Sequence, residues 1–330
     1  MREPLDLIAS VTEEMNQPAP QRWDEVFVDI TQPIPAEPPF LAKIGETAII
    51  FRQGLTVISG VQKAGKTSWV RLLIVAVLCG KALNIEAVPG VKVLWFDCEQ
   101  PLFRILRQVE KAFQMAGMDR TKDGPIQVAA LRQYAPEERI TIIKETIADR
   151  RPDLVIIDGV TDLLQDPNDL AASGMVVAEL LAISEEFDTG VVVVCHTNPN
   201  PNQTAGKLRG HIGSELMRKC ETSIGMEKND LNVFTCKCKD SRGRPFSPFS
   251  FTKDEDDNII PTLAVAPEKQ LSSKDIIFAA MEPGKTYTST ELASYAENVG
   301  TGKNAVSDLV KEGRIMRMER NAYKKVLDDG

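Results

Sequence analysis

At 330 residues, 43% hydrophobic and 26% charged, the chain has room for one large domain or two smaller ones, each with its own core. Its net charge of −8 argues against a protein coated in nucleic acid but leaves room for a local basic surface. The longest apolar stretch, Trp69 to Cys79, is interrupted by Arg71 and is too short for a bilayer, and the acidic start MREPLDL lacks the order of a signal peptide. The expectation is a cytoplasmic protein with no membrane partner. Cysteines 79, 98, 195, 220, 236 and 238 lie mostly in apolar runs and are expected as reduced, buried thiols.

Residues 3 to 16 pattern as a short amphipathic helix (Leu5, Ile8, Val11, Met15), and prolines 18, 20, 33, 35, 38 and 39 suit an extended arm, so residues 1–39 are set apart from the core. From 40 to 255 the runs LTVISG, VKVLWFD, DLVIID and VVVVCH alternate with helical patterns. Strands covered on both faces are apolar throughout, so this is an α/β domain with a parallel sheet. A linker is expected over 256–269 and a second domain over 270–330. There SSKDIIFAAM reads as a helix, and Thr288 with Glu291 as the capping box of a second. TGKNAVSDLVKEG puts Val306, Leu309 and Val310 on one helical face and ends at Gly313, and RIMRMERNAYKKV reads as a strand pair. That order is a winged helix. Between Lys303 and Lys325 seven basic residues face three acids, a local charge of +4. Lys303, Arg314, Arg317 and Lys324 are the candidates for holding duplex DNA, with protein contact as the alternative.

The strongest local signal is ISGVQKAGKTSWV, where Gly60, Gly65, Lys66 and Thr67 fit G-x-x-x-x-G-K-[ST] between a strand and a helix. Glycines let backbone N–H groups wrap phosphates, so Gly60, Ala64, Gly65, Lys66, Thr67 and Ser68 form the expected ATP cradle. Lys66 reaches the β/γ-phosphates and Thr67 holds Mg²⁺. Lys63 reads as a solvated loop residue. In RPDLVIIDG, Asp158 stands at a strand tip where a carboxylate can orient Mg²⁺. Position 159, where a second acid could follow, is Gly, so the base must come from elsewhere. VLWFDCEQP offers Glu99 at the end of the preceding strand, with a first-turn helix carboxylate as the alternative reading, while Asp97 reads as structural.

Taken in order, GVQKAGKT, WFDCEQ, VIIDGVTDLL, VVVVCHTNPN, RGHIGSEL and CKDSRGRPFSPFSF resemble the RecA-like ATPases, and among them the RepA-type hexameric replicative helicases of plasmids, phages and mobile elements. The resemblance runs from about Phe40 to Phe251. It implies a RecA-like core, Mg-ATP hydrolysis with Glu99 as base and His196 as the polar sensor, and a homo-oligomeric ring, expected as a hexamer. It also implies cations supplied by a neighbouring subunit. Lys239 and Arg242 match that role with a spacing one residue off the family's K-x-R, and Arg218 and Lys219 are rivals. The loops after Asp158 and His196 would face the ring's channel; the second, TNPNPNQTAGKLRG, ends in Lys207 and Arg209, candidates for single-stranded DNA, with plain surface solvation as the alternative. The expected function is a Mg-ATP-dependent DNA helicase or translocase, with a replication initiator or primase as a further partner. The alternatives are a non-unwinding RecA-like ATPase of recombination or regulation, and an ATP-sensing winged-helix DNA-binding protein.

Overall fold

A computed structural model describes residues 28, 30–34, 36, 38–121, 124–198, 208–262, 273–296, 299–319 and 321–326. The expected helix at 3–16, most of the proline arm and Lys207 lie outside them.

Strands β1 (Phe40–Ile44) and β2 (Thr47–Phe51) form a hairpin before β3 (Leu55–Gly60), whose six residues are all buried. Helix α1 (Lys66–Cys79) follows and ends at Gly80, with φ of 86°. Then come β4 (Lys81–Ala82), β5 (Ile85–Ala87), β6 (Val93–Asp97), α2 (Leu102–Ala116), β7 (Ile126–Ala130), α3 (Pro136–Arg150), β8 (Leu154–Asp158) and, after a turn of 3₁₀ helix, α4 (Leu170–Glu186). β9 (Gly190–His196), α5 (Gly210–Lys219), β10 (Thr222–Lys228), β11 (Phe234–Ser241), β12 (Phe249–Lys253) and β13 (Ile259–Thr262) complete this part. The main sheet has nine strands in the order β13-β12-β11-β10-β3-β9-β8-β6-β7. β10, β3, β9, β8, β6 and β7 run parallel, and β11 to β13 continue antiparallel. A smaller sheet, β2-β1-β5-β4, joins the same hydrophobic cluster as α1.

Alternation along each strand divides the core. Ile58, Trp95, Ile156 and Val194 pack with α1 and α2, while Val57, Phe96, Ile157 and Val193 pack with α3, α4 and α5. Both faces are covered, which is why these strands read as unbroken apolar runs. The architecture is a mixed α/β fold with a large, mostly parallel central sheet, the frame of a RecA-like P-loop core.

Two expectations change. The stretch 256–269 reads as linker, yet β13 pairs with β12 inside it and extends the sheet to Thr262. Asn258 and Asp254 close the intervening turn, with Asn258 N–H donating to the Asp254 carboxylate at 2.8 Å. Pro261 is tolerated because β13 is an edge strand, where a missing N–H breaks no ladder. All six cysteines are free; Cys79 is exposed rather than buried, because it occupies the last position of α1.

Residues 273–326 form α6 (Ser273–Ala280), β14 (Thr286–Tyr287), α7 (Ser289–Ser294), α8 (Val299–Lys311), β15 (Ile315–Glu319) and β16 (Ala322–Lys325). The three strands pair as β14-β16-β15, and Ile277, Tyr287, Leu292, Val306, Leu309 and Ile315 share a separate core. Thr288 Oγ1 accepts from Glu291 N–H at 3.2 Å and Glu291 Oε2 accepts from Thr288 N–H at 2.7 Å, so the capping box is reciprocal. Among the described residues no helix is long and apolar enough to cross a membrane.

Candidate active site

The carboxyl ends of β3, β9, β8 and β6 lie side by side, so Gly60, His196, Asp158 and Asp97 come together at one rim of the sheet. Ligands of open α/β sheets bind beyond this rim. The loop from Gly60 to Lys66 turns there with Lys63 at φ 64° and Gly65 at φ 91°. Its glycines are required by close packing as well as by conformation: a Cβ on Gly60 would stand 2.5 Å from the Met226 carbonyl oxygen, and one on Gly65 2.6 Å from the Phe234 ring. Ala64 and Ser68 are buried beneath the loop, and Lys63 is exposed.

Lys66 Nζ donates to the carbonyl oxygens of Gly60 and Val61, both at 3.0 Å, and to His196 Nδ1 at 3.1 Å. An ammonium can only donate, so Nδ1 is the acceptor and the imidazole hydrogen sits on Nε2. Nε2 then donates to Glu99 Oε1 at 2.8 Å. Lys66, His196 and Glu99 thus form one hydrogen-bonded chain. The bond from His196 holds the Glu99 carboxyl below its ordinary pKa against the opposing effect of burial, and burial lowers that of Lys66 although Asp158 and Glu99 offset it. Gly159 explains the missing second acid: at φ 92° it lies under the Glu99 side chain, and a Cβ there would stand 2.7 Å from Glu99 Cγ. Asp97 is fully buried and accepts from the N–H groups of Glu99 (3.0 Å) and Gln100 (2.7 Å), which shapes the turn that presents Glu99.

The residues fit a divalent cation. Asp158 is almost wholly buried and accepts from Thr67 Oγ1 at 3.3 Å. Burial, reinforced by the Asp97 and Glu99 carboxylates, pushes its pKa up to about 8. A buried acid in that condition is matched to an added positive charge. No cluster of three or more His, Cys, Asp or Glu side chains suited to a metal occurs among the described residues. A hard cation held by Thr67, Asp158 and a nucleotide's own oxygens is what such a sparse donor set suits.

A cleft of about 460 Å³ contains Gly65, Lys66, Thr67, Ser68, Glu99, Asp158 and His196, and reaches Phe234 and Lys253, which sequence reasoning did not select. Beside it a second cleft of about 700 Å³ shares Glu99 and His196 and is lined by Arg132, Arg139 and Arg209. Arg139 is committed to the carbonyls of Leu131, Arg132 and Asp162 at 3.1, 3.0 and 2.6 Å.

The other candidate cations lie elsewhere. Ser241 pairs with Thr222, which pairs with Thr56 near the start of β3, so the end of β11 that leads to Arg242 lies at the opposite rim from the P-loop. Arg242 pairs with Glu221 at 3.3 Å, the Lys239 stem lies across Gly225, and Arg218 pairs with Glu215. None of these, nor the exposed Lys219, lines the cleft of its own chain. In the C-terminal unit Lys303 and Arg317 are exposed and Lys324 is half-buried. Arg314 is different: it pairs with Asp275 at 3.1 Å and stacks 4.3 Å from the Phe278 ring centroid, which commits it to holding β15 against α6.

The strand order, the phosphate loop and the carboxylates around it define a P-loop ATPase fold and site. Residues 18–201, more than half of the chain, match the model of the AAA domain, and the chain belongs to that family of P-loop ATPases. No curated protein matches the chain.

Proposed function

We propose that the protein is a Mg-ATP-hydrolysing, ring-forming DNA motor, a helicase or translocase serving replication of a plasmid, phage or mobile element. The observation that carries the reading is Glu99: a carboxylate at the end of β6, seated on Gly159 and hydrogen-bonded through His196 to the P-loop lysine. A base on the strand beside the Asp158 strand, rather than directly after Asp158, is the arrangement of the RecA-like motors that the ordered motifs resemble.

Mg-ATP, when bound, supplies the scissile phosphoanhydride and the cation that neutralises it, with Thr67 and Asp158 as the cation's protein partners and Gly60 to Ser68 as the phosphate cradle. The Lys66 ammonium is the group that exchanges the Gly60 and Val61 carbonyls for phosphate oxygen. Glu99 is the general base that orients water and takes its proton. His196, bonded to both Lys66 and Glu99, is the sensor that couples them to the chain 197–209, where Lys207 and Arg209 are the single-strand contacts. The ring, read as a hexamer, is needed because Lys239 and Arg242 stand away from their own cleft; they, or Arg218 or Lys219, serve a neighbour's. The C-terminal unit, with helices α6 to α8 and the β15–β16 hairpin, is read as a winged helix that holds duplex through Lys303, Arg317 and Lys324. A replication initiator or primase is the further partner this role calls for, in the cytoplasm.

Phosphate release measured with and without single-stranded DNA, run beside a forked-duplex unwinding assay, tests the reading. Hydrolysis with unwinding supports it. Hydrolysis without unwinding assigns the protein to recombination or regulation, and ATP binding without hydrolysis leaves a DNA-binding protein that senses ATP.

A further inference from the structure

Arg71 is a charged residue with a wholly buried side chain in the second turn of the P-loop helix α1. Burying a guanidinium without a partner costs several kcal/mol, so the fold must give it one. It donates to the Gln108 side-chain oxygen at 2.9 and 2.6 Å, to the Asp257 carbonyl at 2.6 Å, and to the Asp257 carboxylate. Asp257 lies 186 residues away in the turn of the β12–β13 hairpin, at φ 64°. The same carboxylate, through its other oxygen, holds Lys253 Nζ at 2.9 Å. Lys253 lines the P-loop cleft, its ammonium 5.5 Å from the centroid of Phe234, the ring that lies against Gly65. A buried cation on the P-loop helix therefore fastens a distant hairpin in the place that sets a second cation beside the phosphate loop.

The sheet order says which end of the cleft this is. β3 carries the P-loop; His196, Asp158 and Glu99 come from β9, β8 and β6 on one side of it, while Phe234 and Lys253 come from β11 and β12 on the other. If the terminal phosphate faces Glu99, the nucleoside leaves the loop on the side of β11 and β12.

We propose that Lys253 is a nucleotide ligand within its own subunit, an ammonium that contacts the phosphate nearest the nucleoside, and that Asp257 and Arg71 are positioning residues that hold it in reach. The proposal rests on the reading of the P-loop as a nucleotide site. Half-buried, Lys253 has already lost much of its water, which lowers its pKa and leaves an anionic oxygen as a favourable replacement partner.

The test is calorimetric titration of the full chain with Mg-ADP and with Mg-pyrophosphate, which lacks the nucleoside end. Lys253→Met should weaken ADP binding about tenfold, the loss of one charge-assisted contact, and leave pyrophosphate binding within about twofold. Lys253→Arg should restore most of the ADP affinity, and Asp257→Asn should lose part of it. Unchanged ADP affinity in Lys253→Met, or equal losses for ADP and pyrophosphate, overturns the proposal. If Lys253→Met fails to fold by circular dichroism, the Asp257→Asn titration decides by the same criterion. Lys66→Ala is the separate arm: if it binds ADP as well as the wild type does, the P-loop reading itself has failed, whatever Lys253 does.

Discussion

The nucleotide-binding core and the C-terminal unit handle charge in opposite ways. The core buries Lys66, Arg71, Asp97 and Asp158, whereas among the described residues from 273 onward no charged side chain is buried. A buried charge must be matched by a partner or by a ligand. Arg71, with Asp257 and Gln108, and Asp97, with the turn at Glu99, are matched within the chain. Lys66 rests on the Gly60 and Val61 carbonyls and His196, and Asp158 on Thr67, the partners that the proposed function has them exchange or share with phosphate and a cation. In the C-terminal unit charges lie outside an apolar core of its own, several of them in exposed or half-exposed ion pairs that contribute little each, and Lys303 and Arg317 are exposed on its surface. Charge substitutions should therefore change chemistry or stability in the first region and surface binding in the second.

The sharpest way to test that contrast is Glu99→Gln. The variant keeps the P-loop and the cation partners, so ATP affinity should survive. Turnover should fall on the order of 10²- to 10⁴-fold, the usual cost of losing a positioned base. Steady-state phosphate release together with a binding titration measures both, and near-normal turnover would remove Glu99 from the role of base; the first turn of α2, which begins at Leu102 and holds no acid, is already closed to it.

Next in size is Asp257→Ala. It strips a partner from the fully buried Arg71, and removing one side of a buried pair typically costs about 3 to 5 kcal/mol. Asp257 is itself partly exposed, and Gln108 and the Asp257 carbonyl persist, so the expected loss is about 3 kcal/mol in denaturant unfolding. A loss below about 1 kcal/mol would mean that those two acceptors suffice for Arg71, and that burial in the core is less demanding than the comparison holds.

That pair also shows where sequence reasoning stopped. The P-loop, the apolar strands and Glu99 are legible because their cause is local: a spacing of glycines, strands buried on both faces, and a carboxylate where an apolar run ends. By itself Arg71 reads only as an interruption of an apolar stretch, and Asp257 lies in the expected linker among neighbouring acids with nothing to single it out. Their pairing spans 186 residues, and no local pattern announces it. β13 was hidden for a related reason, since a four-residue strand containing Pro261 reads as linker until β12 is beside it. Gly159 was visible as an absence; that it seats Glu99 required the fold. Arg132 and Arg139 carried no signal, because isolated arginines near a strand end are ordinary surface residues until a cleft gathers them.

A smaller effect should be confined to the other region. Thr288→Ala removes the cap of α7, worth about 1 kcal/mol. With separate cores on the two sides, the C-terminal unit should melt earlier in calorimetry while ATP turnover stays at the wild-type rate. A matching fall in turnover would show that the two cores unfold together.

The smallest effects concern single surface cations, and there the comparison can be drawn within the C-terminal unit. Lys303 and Arg317 are exposed, so changing either to alanine should leave the melting temperature almost unmoved. If each contacts one phosphate of a duplex, each change should reduce the slope of log affinity against log salt by about 0.9. Arg314 should behave in the reverse sense. Its ion pair with Asp275 and its stacking on Phe278 tie β15 to α6, so Arg314→Ala should cost about 1 kcal/mol in the melting of this unit and leave the salt slope as it was. Measuring the three variants together separates a residue that builds the unit from residues that use it. Should Lys303→Ala and Arg317→Ala leave both duplex affinity and its salt slope unchanged, the unit's basic face serves a protein partner, and contact with DNA must come from the core, where Arg209 stands beside Glu99 and His196 in the larger cleft.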